Sequence, residues 1–235
     1  MSGWRSWREE TAADAAYSWR DENVGWVERL RDPTLWKLSN KYRLSLHWTQ
    51  RNYAMRYRRV NAAGATFFFT LVTERRRPLF REPATVELFL EAVEKVRSRH
   101  PFEVDAYVVL PDHLHALWTL PEGDANFSTR WRLIKEAFTR AYIKTHEIPH
   151  RNESRRSKGE QGIWQRRFWE HAIRNQNDFE AHLDYIHINP VKHGLVTAAR
   201  DWPHSTFLEW VSLGCYDEWW GSDGMPPLPD WVGQE

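Results

Sequence analysis

Apolar positions in this chain follow the short spacing of strands in some segments and the longer spacing of helices in others. The run Thr66–Thr73 is rich in aromatic and β-branched residues and predicts a buried strand. Two further strands, Val104–Leu110 and His113–Leu120, are separated by a Pro111–Asp112 turn and predict a hairpin. A fourth strand is predicted over Ile163–Ile173, where aromatic and β-branched residues cluster again.

Helical spacing occupies the intervals between these strands. Helices are predicted over Thr85–Arg99 and from Ser128 to Lys144, with Thr85 and Ser128 as their N-caps. A third helix spans Gln176–Ile188 and is closed by Asn189-Pro190, and one helical turn is predicted near Phe207–Val211. The resulting order predicts an α+β fold: a ferredoxin-like, RRM-like antiparallel sheet with two helices on one face and an extra helix. This arrangement leaves the second face of the sheet open.

A pair of histidines on the third strand is the first candidate for chemistry. Side chains alternate along a strand, so His113 and His115 point to one face while Leu114 and Ala116 point to the other. We expect Leu114 and Ala116 to lie under the two helices and the histidines to lie on the open face. Neighbouring imidazoles can chelate a divalent metal, although an isolated pair of this kind is more often a solvated surface feature.

The third helix carries two stripes of residues. The apolar stripe is predicted to pack against the protein and consists of Phe179, Leu183 and Ile186. The second stripe is polar, lies roughly opposite, and consists of His182, Tyr185 and Asn189.

Composition limits the class of protein. With 235 residues, the chain is long enough for one large domain with appendages, and its single cysteine excludes an internal disulfide. No apolar run approaches the roughly 20 residues of a membrane helix, and the first residues lack the apolar core of a signal peptide. These features predict a cytoplasmic protein that makes no use of a membrane.

The net charge of +1 conceals blocks of opposite sign. Residues 55–81 hold seven arginines against one acid, and residues 129–174 hold twelve Lys and Arg against five acids. Residues 201–235 hold seven acids and no Lys or Arg. The basic blocks predict a polyanionic partner, and the acidic segment is either a competitor that folds over the basic cleft or a solvated tail.

A series of motifs follows in order along the chain: Met55–Arg59, Thr70–Phe80, Pro111–Trp118, Phe127–Trp131, Gly162–His171, Asp184–Val196 and Asp201–Pro203. This series resembles the REP-associated tyrosine transposases, which are HUH-type single-strand nucleases with one catalytic tyrosine. Each segment alone is a weak signal, whereas seven in order are strong.

The resemblance implies a metal-dependent transesterification of single-stranded DNA. It assigns His113 and His115 as ligands of Mg²⁺ or Mn²⁺, with Asn189 as the polar ligand from the tyrosine helix. It assigns Tyr185 as the nucleophile that forms a 5′-phosphotyrosine link and leaves a 3′-hydroxyl. A phenol with a pKa of about 10 is a poor nucleophile near pH 7, so it needs such help. No side chain in the sequence stands out as the base for Tyr185.

The resemblance also implies a substrate, a REP-like hairpin beside single-stranded DNA, and nucleoid association while the protein is bound to it. Basic residues that could follow the phosphates, with aromatic residues stacking on bases, are Arg75, Arg76, Arg130, Lys135, Arg166, Arg167 and Lys192. The oligomeric state does not follow from the sequence.

The domain organisation predicted from these patterns has three parts. Residues 1–54 form a poorly patterned, Trp-rich extension, which is either the product of a misplaced start codon or an arm that stacks on bases. Residues 55–200 form the catalytic domain, and residues 201–235 form the acidic tail. Two alternative functions stay open: a non-catalytic RNA or DNA hairpin-binding module of the same fold, and a metal-dependent hydrolase that uses water in place of Tyr185.

Overall fold

A four-stranded antiparallel sheet organises the protein. In this computed structural model, which describes residues 64–146, 153–157 and 159–233, the strands are β1 (Thr66–Val72), β2 (Glu103–Val109), β3 (His113–Thr119) and β4 (Trp169–Ala172). Their spatial order is β2-β3-β1-β4, and each strand is antiparallel to its neighbours. The predicted α+β class and ferredoxin-like order are therefore confirmed.

Five α-helices accompany the strands in the described part of the chain. They are α1 (Pro83–Arg97), α2 (Phe127–Thr145), the short α3 (Glu153–Ser157), α4 (Gln176–Lys192) and α5 (Phe207–Ser212). Helices α1 and α2 pack on one another and on one face of the sheet, where they enclose the main hydrophobic core. The two long helices thus lie where the strand alternation predicts them.

The core is aromatic and follows the alternation of β1 and β3. Phe69 of β1 lies opposite Ala116 of β3, and both side chains point to the helices. Trp118 stacks on Trp131 of α2 with ring centroids 3.8 Å apart. Leu114 lies in the same core, so the prediction that Leu114 and Ala116 lie under the two helices is confirmed.

The second face of the sheet is covered, which corrects the expectation of an open face. Helix α4 lies across β2 and β3, and residues 178–190 of it are all buried. Phe68 lies between Phe67 and Phe69 in the sequence but points to this second face, where it contacts the rings of His182 and Tyr185. Both predicted stripes of the helix are buried, because the C-terminal segment packs against its other side.

Two predicted helix starts are wrong, for reasons of local hydrogen bonding. The side chain of Asn126, not Ser128, accepts the hydrogen bond from Thr129 N that caps α2. Helix α1 begins at Pro83 after Glu82, and Thr85 lies buried inside the first turn. Proline at the first helical position needs no backbone donor, which explains the earlier start.

Two predicted ends are also corrected. Strand β4 is limited to the four residues Trp169–Ala172. Upstream of it, Trp164 keeps only an isolated antiparallel bridge to Thr73, and its ring packs against Phe80 and Phe138. Helix α4 continues through Pro190 to Lys192. The turn beyond the proline is stabilised by the bond from His193 N to Asn189 O, which offsets part of the cost of about 3 kcal/mol for an interior proline.

The outer edge of β2 is covered by the segment that precedes α5. Val109 N donates to His204 O, and Thr206 N donates to Tyr107 O. Trp210 Nε1 donates to Asp105 O at 2.9 Å. The outward backbone groups of Tyr107 and Val109 are therefore bonded within the chain.

Predictions about residues 1–54, including their status as an extension or a DNA-binding arm and the boundary at residue 55, lie outside the described residues. Within the described ranges, no helix is long and apolar enough to cross a membrane.

Candidate active site

The histidine pair lies buried between the sheet and helix α4. Exposed fractions are 6% for His113 and 1% for His115, and their ring centroids are 5.1 Å apart. Burial is the largest influence on both side chains and lowers the pKa of each imidazole, most strongly for His115. Both rings are therefore neutral near pH 7, which is the form that binds metal ions.

Each imidazole is held through its Nδ1 atom. His113 Nδ1 lies 2.5 Å from Asp112 Oδ1, and His115 Nδ1 lies 2.9 Å from Thr70 Oγ1. The nitrogen of each ring that would coordinate a metal is consequently Nε2. This arrangement, with a partner behind each ring, is typical of histidine ligands.

Tyr185 reaches the histidine pair from α4. Its ring centroid lies 5.1 Å from that of His115, and its side chain is 4% exposed. Lys192, two turns later on the same helix, has its Nζ 3.4 Å from the Tyr185 hydroxyl and 4.5 Å from the ring centroid. The sequence pattern did not indicate this contact, which brings a positive charge to the phenol oxygen.

Asn189 supplies a third polar group one turn after Tyr185. Its Nδ2 donates to Tyr185 O at 3.1 Å, and the residue is fully buried. Its Oδ1 is also buried and has no hydrogen-bond partner among the described residues. Two neutral imidazoles and an unpartnered amide oxygen are a donor set that fits a divalent metal ion.

An open cleft of about 520 Å³ leads to this cluster. Its cationic lining comes from three of the predicted DNA-binding residues, Arg76, Arg167 and Lys192. His193, at the C-terminal end of α4, also lines it, and its ring centroid is 5.1 Å from that of His113. A phosphate that enters the cleft would meet positive charge beside the tyrosine and the histidines.

Other predicted DNA contacts have different surroundings. Arg130 is 4% exposed, because its guanidinium donates to the carbonyls of His100, Pro101 and Asn126 and to Asp124. The sequence places Arg130 among the basic residues that could follow the phosphates; in the structure, its guanidinium supports the fold.

Lys135 and Arg166 are also engaged within the protein. Lys135 lies over the rings of Trp164 and Phe168 and donates to Gln165 O, so its side chain belongs to the packing around α2. Arg166 contacts Glu160 through two carboxylate oxygens. Arg75 is exposed next to Arg76 and stays available to a polyanion.

A second cluster of potential metal ligands lies near the start of α4. Ligand atoms of His171, Asp178 and His182 all lie within 4.8 Å of one another. However, His182 Nδ1 also lies 2.8 Å from the carbonyl oxygen of Asp178, which requires this nitrogen to carry a proton. Burial opposes the charge of Asp178, but His171, His182 and Arg174 outweigh it and hold the carboxyl pKa far below its usual range. We interpret the cluster as a hydrogen-bonded anchor that joins β4 to α4.

The end of the described chain lies on the tyrosine. A Cβ atom placed on Gly233 would be 2.5 Å from Tyr185 Cε2, so the backbone there touches the ring. The ring of Trp231 lies 5.7 Å from that of His182. The predicted acidic segment therefore packs over the tyrosine helix, and the contacts that hold these residues are largely aromatic.

Comparison with known families identifies the class of protein to which this fold and site belong. A family model described as "Transposase IS200 like" matches residues 62–189, more than half of the chain. The chain belongs to this transposase family.

Within that family, the similar proteins are more specific. The REP-associated tyrosine transposase of Escherichia coli K12 is 46% identical over 167 residues, which are 71% of this chain and 91% of the relative. A Haemophilus influenzae protein is 44% identical over 172 residues, or 73% of this chain and 95% of its own length. A solved structure of a REP-associated tyrosine transposase bound to a REP hairpin is 43% identical, with a TM-score of 0.62, and covers 77% of this chain and 98% of that one. This chain is a member of the REP-associated tyrosine transposases, as the motifs predicted.

Proposed function

We propose that this protein is a single-strand DNA transposase that acts at REP-like hairpins by forming a 5′-phosphotyrosine link through Tyr185. The observation that carries the proposal is the meeting of Tyr185 with His113 and His115 in one buried cluster that opens to a cationic cleft. The relative whose structure contains a REP hairpin supports the choice of substrate.

The proposed reaction exchanges one phosphodiester for another. The phenol oxygen of Tyr185 forms a bond to phosphorus and loses its proton, while the bond from phosphorus to O3′ breaks and O3′ gains a proton. The phosphoryl group stays esterified, so a later attack by a 3′-hydroxyl can reverse the step. No external energy source is required for rejoining.

The chain's own residues position the reactants in this scheme. Helix α4 holds Tyr185 against the sheet, and Lys192 lies beside the phenol oxygen, where its charge favours an anionic phosphate. Arg76 and Arg167 line the approach and would bind the flanking phosphates. Exposed Arg75 extends this cationic surface.

His113, His115 and Asn189 would hold a divalent cation, Mg²⁺ or Mn²⁺, which when bound supplies charge stabilisation at the scissile phosphate. Two imidazoles and one amide oxygen suit Mn²⁺ better than Mg²⁺, because Mg²⁺ prefers an all-oxygen shell. Mn²⁺ is therefore the better probe of the site.

The test is a denaturing gel that detects protein joined to DNA. A hairpin oligonucleotide labelled at its 3′ end should give an SDS-stable adduct with Mn²⁺, whereas a 5′ label should appear on a released fragment. Tyr185→Phe should abolish the adduct and leave hairpin binding nearly unchanged, since only the hydroxyl is lost. Tyr142→Phe, on the other side of the sheet, is the matched control and should keep adduct formation.

The same experiment separates the alternatives. Cleavage without an adduct would favour a hydrolase that uses water, and binding without cleavage would favour a non-catalytic module. The buried second face of the sheet argues against the latter, because RNA readers of this fold present an open sheet face to the bases.

A further inference from the structure

Asp112 joins the histidine pair to the cationic cleft through a chain of side-chain contacts. Its Oδ1 lies 2.5 Å from His113 Nδ1, and its Oδ2 lies 3.2 Å from Arg76 Nη1. From the sequence, Asp112 was interpreted only as a turn residue. In the structure, its carboxylate is shared between a buried imidazole and an exposed guanidinium.

The backbone around Asp112 is fixed from two directions. Thr73 N donates to the carbonyl oxygen of Asp112 at 2.9 Å, and the Thr73 hydroxyl lies between that oxygen and Arg77 O, at 2.9 and 2.7 Å. Next to it, Phe80 N donates to Pro111 O. The Pro111–Asp112 turn is thereby fastened to the segment that follows β1, and the carboxylate has little freedom to turn away from His113.

The same segment contains backbone strain. Arg75 and Arg76 have φ values of 57° and 50°, in the left-handed region that residues other than glycine seldom adopt. Each such residue costs about 1 kcal/mol or more, and it persists where surrounding contacts enforce it. This bend is what returns Arg76 to the carboxylate of Asp112.

We propose that Asp112 is a positioning residue for the metal site, and that it fixes the orientation and tautomer of His113 so that Nε2 faces the metal. The inference rests on the proposed metal-binding role of His113 and His115. A carboxylate behind His113 accepts the Nδ1 proton, which places the lone pair on Nε2 and increases its donor strength. Arg76 holds the second carboxylate oxygen and so limits rotation of Asp112.

The two histidines are thus supported unequally. His115 has a hydroxyl partner in Thr70, and its ring is packed tightly against Phe68. His113 borders the cleft and depends on the carboxylate for its alignment. Loss of the Asp112 carboxylate behind His113 should therefore weaken metal binding more than loss of the Thr70 hydroxyl behind His115.

The test measures Mn²⁺ binding to the full chain in the absence of DNA, by calorimetry or by the electron paramagnetic resonance signal of unbound Mn²⁺. Asp112→Asn should raise the dissociation constant about 10- to 100-fold, the usual loss for a partner behind a metal ligand. Arg76→Ala, at an exposed side chain that does not endanger folding, should give a smaller rise of about two- to fivefold, because an exposed ion pair contributes little. Glu122→Gln removes the same charge from an exposed loop and should leave the constant unchanged.

A second readout addresses His113 directly. In the metal-free protein, ¹⁵N chemical shifts of the ring should show His113 protonated at Nδ1 in the wild type and a mixture of tautomers in Asp112→Asn. A purely structural role would change the melting temperature without changing this ratio.

His115→Ala makes the two possible failures distinguishable. If His115→Ala abolishes Mn²⁺ binding while Asp112→Asn binds like wild type with the tautomer unchanged, the inference about Asp112 is overturned and the proposed function stands. If the wild-type protein binds no Mn²⁺, the metal role of the histidine pair fails, and the inference about Asp112 fails with it.

Discussion

The two faces of the sheet are buried to a similar degree but contain different side chains. On the face covered by α1 and α2, Phe67, Phe69 and Leu71 meet other apolar groups. On the face covered by α4, the neighbouring positions of the same strands carry Thr70 and the histidine pair. Burial of polar groups is costly unless they are bonded, and Asn189 keeps an unpartnered oxygen among the described residues. The comparison indicates that one face provides stability and that the other uses some of it to preorganise a site.

The largest expected effect separates stability from binding. Phe69→Ala removes a ring from the centre of the helix-covered face and should lower the free energy of unfolding by about 3–5 kcal/mol. The Mn²⁺ affinity of the protein that remains folded should not change. Denaturant unfolding and calorimetry measure the two quantities.

Thr70→Val, the adjacent position on the other face, is the matched variant. It removes one hydrogen bond to His115 and should cost about 1 kcal/mol of stability. It should also weaken Mn²⁺ binding several-fold. Equal losses of stability in Phe69→Ala and Thr70→Val would contradict the division between the faces.

The next effect concerns the C-terminal segment over Tyr185. A chain that ends after Gly221 loses the contacts of Trp231 and Gly233 with the tyrosine helix, together with three acidic residues. We expect adduct formation with hairpin DNA to accelerate about tenfold, equivalent to about 1.4 kcal/mol. Rates come from quenched time points on denaturing gels.

Point variants separate the two physical causes. If the aromatic contact restrains access, Trp231→Ala should reproduce most of the acceleration at every salt concentration. If charge is responsible, Asp223→Asn with Asp230→Asn should do so, and only at low salt, where screening is weak. An unchanged rate after truncation would show that the segment does not limit access to Tyr185.

The remaining effect is a pH-dependent cost on the helix-covered face. Burial lowers the pKa of Lys135 to about 8, whereas an unfolded lysine titrates near 10.4. Between these values the unfolded chain binds more protons, so the free energy of unfolding should rise with pH by up to about 1.4 kcal/mol per unit. Lys135→Met should lack this rise, measured from pH 8 to 10 as the difference from wild type. A parallel pH dependence in both proteins would refute the assignment.

Strand alternation and helical spacing together predicted the fold class, and alternation predicted that both histidines share one face, although α4 covers that face. Alternation along a strand is a local property, and Leu114 and Ala116 therefore lie where expected. The polar stripe of α4 gave no sign that it would face the sheet, because the packing of Tyr185 against Phe68 depends on residues far apart in sequence.

Residues whose roles depend on particular hydrogen bonds were the hardest to predict. Arginine is usually a surface residue, but Arg130 is buried because it donates to carbonyls of the loop around His100. That loop is distant in sequence, so the helical spacing of α2 could not indicate the contact. Asp112 looked like an ordinary turn residue, since its link to Arg76 exists only when the segment after β1 folds back. Pro190 suggested the end of a helix, because the hydrogen bonds that continue the turn beyond it cannot be read from composition.

The covered edge of β2 has a consequence for assembly. An exposed strand edge can recruit a strand from another molecule, which is a common route to extended sheets and to aggregation. Here, the segment from His204 to Thr206 already bonds to the backbone of Tyr107 and Val109. Two copies of this protein therefore cannot pair strands along Tyr107 to Val109 of β2 unless that segment is first displaced.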